Sequence, residues 1–241
     1  MSDDWVLVTG ASRGIGRATA IAVAQLGFGV VLWARTATDI SETLGQVTRC
    51  GGRGRTAIVD VSDPAAVTRA AADMADLGRL RAVVLNAGHG TWRSLLETTP
   101  DQWRDTVGVN LDGAFYVLRA TLPLLLRHPD GQVLAVASDS AVYPFGRRAP
   151  YCAAKSGLRA LAETARRETR ERGIRVTVLM PSRVDTHFGG KRPGERADGL
   201  TADDVAAVIA FILSLPRHVE IRELQLAATS APYGPFPEKL G

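Results

Sequence analysis

The chain has 241 residues, of which 46% are hydrophobic and 22% charged, and its net charge is +4. That balance fits one globular α/β domain and excludes disordered, collagen-like and membrane-spanning chains. The basic residues are interleaved with acids rather than gathered in one block, which argues against nucleic acid as a partner.

The opening Met1-Ser2-Asp3-Asp4 lacks the basic and apolar stretches of a signal peptide, so no membrane partner and a cytoplasmic location are expected. Residues 5–9 then form a short apolar run that ends in glycines, and 17–26 has the composition of a buried helix. Further apolar runs at 29–33, 56–59, 82–85, 133–137 and 175–180 alternate with helical stretches. A last helix at 202–215 opens on Thr201 as its N-cap, and 223–227 reads as a final strand. Strands that are apolar throughout are covered on both faces, so the expected fold is a doubly wound α/β parallel sheet. One domain over 1–241 is expected, with 230–241 as a C-terminal tail. Cys50 and Cys152 have neither disulfide nor metal-ligand spacing, and no metal site is expected.

Thr9-Gly10-Ala11-Ser12-Arg13-Gly14-Ile15-Gly16 directly follows the first strand. Glycines at these positions let the chain turn tightly, let backbone amides approach a pyrophosphate, and let the next helix pack closely. About 20 residues beyond the glycines, dinucleotide sites that take NAD place an acid for the ribose hydroxyls; here stand Ala34 and Arg35. Nothing there repels a 2′-phosphate, and Arg35 and Arg13 can both pair with one, so the expected cofactor is NADP(H).

Tyr151 and Lys155 are four residues apart and share one helical face. A nearby ammonium favours the phenolate, which would bring the tyrosine toward useful acid/base chemistry. Only three lysines and four tyrosines occur in the chain, so chance predicts roughly 0.05 such pairs. Ser138 follows the run at 133–137 and stands at the carboxyl end of a strand, the edge where ligands bind. Its hydroxyl can hydrogen-bond a substrate oxygen; Ser140 is the local competitor.

The glycine turn, the strand-end serine and Tyr-x-x-x-Lys, in this order, resemble the short-chain dehydrogenase/reductase family over residues 5–229. The resemblance implies a seven-stranded Rossmann-type sheet and a ketone/secondary-alcohol oxidoreductase with Asn110, Ser138, Tyr151 and Lys155 as the catalytic set. It implies that Asp60, followed by Val61, contacts adenine, and that Asn86-Ala87-Gly88 lines the cofactor cleft. Lys155 would also bind nicotinamide ribose hydroxyls, Asn110 would sustain a proton relay through it, and Val184 and Thr186, after Pro181, would contact the carboxamide. Ser182 departs from the family, which usually has glycine there. A homotetramer or homodimer is implied as well.

Substrate choice should rest on 89–93, 139–148 and 187–200, where Trp92, Tyr143, Phe145 and Phe188 offer apolar surface and Arg147, Arg148, Lys191 and Arg192 offer charge. The likeness extends to 3-oxoacyl-carrier-protein reductases, for which Arg127, Arg166, Arg167, Arg170 and Arg172 could receive an acidic carrier. A small-molecule carbonyl of another class, such as a quinone, cyclic ketone or sugar, is the alternative substrate. A regulatory NADP(H)-binding protein without turnover is the alternative function, against which the intact catalytic set argues.

Overall fold

The computed structural model describes residues 3–231. Seven strands, β1 Asp4–Thr9, β2 Gly29–Ala34, β3 Arg53–Ile58, β4 Arg79–Leu85, β5 Gln132–Val136, β6 Arg175–Pro181 and β7 Glu223–Leu226, form one parallel sheet in the order β3-β2-β1-β4-β5-β6-β7. Seven α-helices accompany them: α1 Gly14–Gln25, α2 Ala37–Arg49, α3 Pro64–Ala72, α4 Pro100–Val107, α5 Gly113–Leu125, α6 Ala149–Thr169 and α7 Ala202–Ser214.

Successive strand residues face opposite sides, so a run that is apolar throughout feeds two cores. Leu7, Val83, Val133 and Val178 pack with Val67 of α3, Leu118 of α5 and Leu158 of α6. Val6, Val84, Leu134 and Leu179 pack with Val23 of α1, Ile40 of α2 and Ile209 of α7. Each fully buried aliphatic side chain contributes about 1.5–3 kcal/mol, and the two cores lock the helices to both faces. The direction of winding reverses between β1 and β4, which opens a crevice at the carboxyl ends of these strands.

The N-cap at Thr201 forms as expected: its Oγ1 accepts from the Asp204 amide at 3.1 Å while the Asp204 carboxylate accepts from the Thr201 amide at 2.8 Å. Several elements differ from the sequence expectation, among them β4, which begins at Arg79 rather than at 82. β3 spans Arg53–Ile58 rather than 56–59, because it is an edge strand whose pairing with β2 needs no apolar run; it is also not buried on both faces. Arg53 and Arg55 lie 5.1 and 5.9 Å from the Trp5 ring and cover it with cationic side chains. α1 begins at Gly14 rather than at 17, drawing the last glycines of the turn into its first coil. Asn110, expected in a helix, sits in a π-helical segment, Gly108–Asp112, between α4 and α5.

The expected C-terminal tail, 230–241, lies outside the described residues from 232 onward. Among the described residues no helix is long and apolar enough to cross a membrane, and no cluster of potential metal ligands occurs.

Candidate active site

The glycine turn is shaped by what stands behind it. Gly10 has φ +65°, and a Cβ there would lie 2.9 Å from the Ala87 Cα. On Gly16 a Cβ would meet the Asn86 amide nitrogen at 2.6 Å. Asn86 ties the ends of β1 and β4 together: its Nδ2 donates to the Thr9 carbonyl at 2.9 Å, and its backbone amide donates to Thr9 Oγ1 at 2.9 Å. Arg17 clamps the turn from below, donating to the Ser12 carbonyl at 2.6 Å. No side chain caps α1 and its first turn holds no acid, so its leading amides remain available for an anion.

One continuous cleft of about 1100 Å³ runs from this turn to the segment after β6. Of the site residues expected from sequence, all line it except Gly16, which is buried beneath the turn, and Asn110. Asn110 lies directly behind Gly88, where a Cβ would be 2.6 Å from its Oδ1 and 3.5 Å from Lys155 Nζ. The Asn110 Nδ2 donates to the carbonyls of His89 and Thr106 at 2.7 and 2.8 Å, and its buried Oδ1 has no partner.

Tyr151, Lys155 and Ser138 converge at the centre of this cleft. Burial pushes the Tyr151 phenol well above its ordinary range, the Asp139 carboxylate adds to this, and Ser138 and Arg148 oppose it. Lys155 Nζ donates to the Val136 carbonyl at 2.9 Å, and burial pushes the ammonium down to about 8. The sequence suggested that lysine would ease ionisation of the tyrosine; in the structure the desolvation of both groups is the larger effect. Ser140 is buried and does not line the cleft, so Ser138 is the serine that faces it.

Two partners of this centre escaped the sequence reading. Ser138 Oγ donates to Asp139 at 2.8 Å, and Ser182 Oγ donates to the other carboxylate oxygen at 2.9 Å. Ser182 is the departure from glycine noted above, and it anchors Asp139.

Arg35 lies 3.9 Å from Asp60, whose carboxyl feels opposing influences: burial raises it, while hydrogen bonds from Ser62 and the Arg35 charge bring it below the usual range. Arg13 is exposed at the head of α1. Of the substrate candidates, Trp92, Phe145, Phe188, Arg148, Lys191 and Arg192 line the cleft, whereas Tyr143 and Arg147 do not. Of the five arginines of the expected carrier patch, Arg127, Arg167, Arg170 and Arg172 are exposed, whereas Arg166 is only 4% exposed and donates to the Val176 and Arg222 carbonyls. Arg127 borders a smaller cavity at the amino end of β4.

The short chain dehydrogenase family model matches residues 4–196. The chain belongs to that family. Among curated short-chain relatives it is 31% identical over 221 residues to an uncharacterized oxidoreductase of Staphylococcus epidermidis, covering 91% of this chain and 95% of that one. It is equally 31% identical over 234 residues to a sepiapterin reductase of Chlorobaculum tepidum, covering 93% and 96%. Among solved structures, an alcohol dehydrogenase of the archaeon Thermococcus sibiricus complexed with 5-hydroxy-NADP superposes with a TM-score of 0.91 at 30% identity, covering 96% and 99%. A metagenomic short-chain oxidoreductase in complex with NADP gives 0.83 at 29%, covering 93% and 96%. This chain is therefore an oxidoreductase of the short-chain dehydrogenase type, with the seven-stranded sheet of its structural neighbours.

Proposed function

We propose that this dehydrogenase interconverts a carbonyl and a secondary alcohol with NADP(H), using Tyr151 as the acid/base. The observation that carries this reading is the convergence of Tyr151, Ser138 and Lys155 in a cleft that begins at an uncapped, glycine-headed helix. The NADP and 5-hydroxy-NADP found in two structural neighbours support the choice of cofactor, as do Arg13 and Arg35 on the cleft wall.

The residues fit such a cofactor. The amides at the start of α1 would hold the pyrophosphate, Arg35 and Arg13 a 2′-phosphate, and Asp60 with Val61 the adenine. Asn86, Ala87 and Gly88 would form the floor, Lys155 would bind the nicotinamide ribose, and Pro181, Val184 and Thr186 would border the carboxamide. When bound, the nicotinamide supplies or accepts the hydride. Tyr151 gives its proton to the carbonyl oxygen as negative charge gathers there, and takes it back in oxidation. Ser138 hydrogen-bonds the same oxygen, turning its hydroxyl hydrogen from Asp139 to do so. Lys155 holds positive charge beside the developing phenolate, and the unpartnered Asn110 Oδ1, next to Gly88 and Lys155, is available to a proton path behind it.

Trp92, Phe145 and Phe188 on the cleft wall favour a small-molecule carbonyl. We also propose a homo-oligomer, because Phe115 on α5 and Phe211 on α7 are 44% and 56% exposed and offer apolar surface to a second copy. NADPH absorbance should fall in the presence of an activated ketone such as 2,2,2-trifluoroacetophenone. Tyr151→Phe should cut this turnover by about 10³-fold or more while NADPH still binds. Normal turnover by the phenylalanine variant would rule out the mechanism.

A further inference from the structure

Arg148 stands one residue before α6 and lines the cleft, half-buried. Its guanidinium lies 4.7 Å from the Trp92 ring centre and 4.9 Å from that of Phe145. Stacking engages the faces of a guanidinium and leaves its edge N–H donors for other partners. Among the described residues, none completes an ion pair with Arg148 or accepts a hydrogen bond from its side chain. Of the other cations on this stretch of the cleft wall, Arg192 has no described side-chain partner, while Arg196, Arg183 and Lys191 are committed elsewhere. Arg196 donates to the Val184 and Phe188 carbonyls at 3.1 Å each, Arg183 pairs with Asp198 at 2.8 Å, and Lys191 with Glu195 at 3.4 Å.

The same indole meets the reacting centre. Trp92 stands edge-on to Tyr151 with ring centres 5.5 Å apart, and Phe188 tilts against both at 5.4 and 5.9 Å. The indole is fixed by two glycines: a Cβ on either Gly90 or Gly189 would come within 2.5 Å of it. Tyr151 and an uncommitted cation thus both lie against one indole, and the surface they share is aromatic.

We infer that the substrate is a planar, ring-bearing ketone or aldehyde with an anionic group on the far side of the ring from its carbonyl, and that Arg148 binds this group. This rests on the proposed carbonyl chemistry at Tyr151. The carbonyl oxygen goes to Tyr151 and Ser138, the ring lies against Trp92 and Phe188, and the anion meets the guanidinium edge through charge-assisted hydrogen bonds.

The test uses the protein loaded with NADP⁺, titrated calorimetrically with 4-acetylbenzoate and with methyl 4-acetylbenzoate, which share a ring and a ketone and differ in charge. The wild type should bind the acid about 10-fold more tightly than the ester. Arg148→Leu should bring that ratio near one, and Arg148→Lys, which keeps a charge but not the planar fork, should restore part of it. Thermal midpoints of the variants establish that they are folded. Equal binding of acid and ester by the wild type, no binding of the acid, or a preference that survives in Arg148→Leu would each overturn the inference. If trifluoroacetophenone is still reduced in a Tyr151-dependent manner, only the anion site falls. If NADP⁺ itself fails to bind, the underlying reductase reading falls with it.

Discussion

Ser138 donates its hydroxyl hydrogen to the neighbouring Asp139 carboxylate at 2.8 Å. The same carboxylate raises the proton affinity of the buried Tyr151 phenol, adding to the larger effect of burial. Asp139→Asn keeps the shape and removes the charge, so the phenol should ionise at lower pH. In the proposed mechanism the protonated phenol is the acid in reduction, so the alkaline fall of reductive kcat/KM should move to lower pH, by roughly half to one unit. The oxidative direction, which needs the phenolate, should gain activity over the same interval. Paired pH profiles in both directions check this, and an alkaline limb that stays in place would remove Asp139 from the tuning of Tyr151.

Lys155 makes a different prediction, about stability. Burial moves its ammonium from 10.5 down to about 8, a depressed value for a basic group. Below pH 8 both folded and unfolded chains hold the proton, and the folded state bears the whole desolvation cost, about 3 kcal/mol. Between pH 8 and 10.5 the unfolded chain holds more protons, so stability rises with pH. Lys155→Met removes the buried charge. The cofactor-free variant should be more stable than wild type by about 2–3 kcal/mol at pH 7, and the gain should shrink by roughly 2 kcal/mol at pH 9.5. Denaturant titrations of both proteins at the two pH values measure it, and a gain independent of pH would contradict the assignment.

The parts of this site that could be read from sequence are those with local spacing. Tyr151 and Lys155 meet because four residues make about one helical turn, and Gly10 to Gly16 mark the glycine turn because strand, turn and helix are consecutive. Ser182 and Asp139 are 43 residues apart and meet only because β5 and β6 are neighbours. No spacing signals that contact. Arg166 shows the converse: its pairing with Glu163 is local, yet its burial comes from the Val176 and Arg222 carbonyls, which belong to tertiary structure. The edge strand β3 was partly missed for a related reason, since pairing with β2 on one side alone leaves Arg53 and Arg55 at the rim.

Asp130 carries a larger stability burden. It sits before β5 with φ +93° and pairs with Arg81 at 3.3 Å, Arg175 at 3.0 Å and Arg217 at 3.1 Å, and the first two arginines are buried. Asparagine tolerates positive φ about as well as aspartate does, so Asp130→Asn isolates the charge. Two buried guanidinium groups would lose the ion-pair partner they share, and the expected loss is about 3–5 kcal/mol. Adding Arg81→Met should recover part of it, because one stranded charge is removed. Urea unfolding of the single and double variants tests this, and a loss below about 1 kcal/mol would show that the cluster is hydrated or otherwise compensated.

Arg35 tests the cofactor. Its side chain is 60% exposed on the cleft wall, and its only described ion-pair partner is Asp60 at 3.9 Å. A contact that long is weak, so the guanidinium can turn to a 2′-phosphate at little cost. Arg35→Glu replaces attraction by repulsion at that position and offers a carboxylate to a ribose hydroxyl instead. The ratio of kcat/KM for NADPH over NADH should fall by about 100-fold, mostly through the KM for NADPH. Because the contact is exposed, the wild-type preference should also weaken as salt is raised, whereas the variant's should change little. A ratio unchanged by the substitution would mean that Arg13 alone reads the phosphate, and Arg13→Ala would then produce the loss.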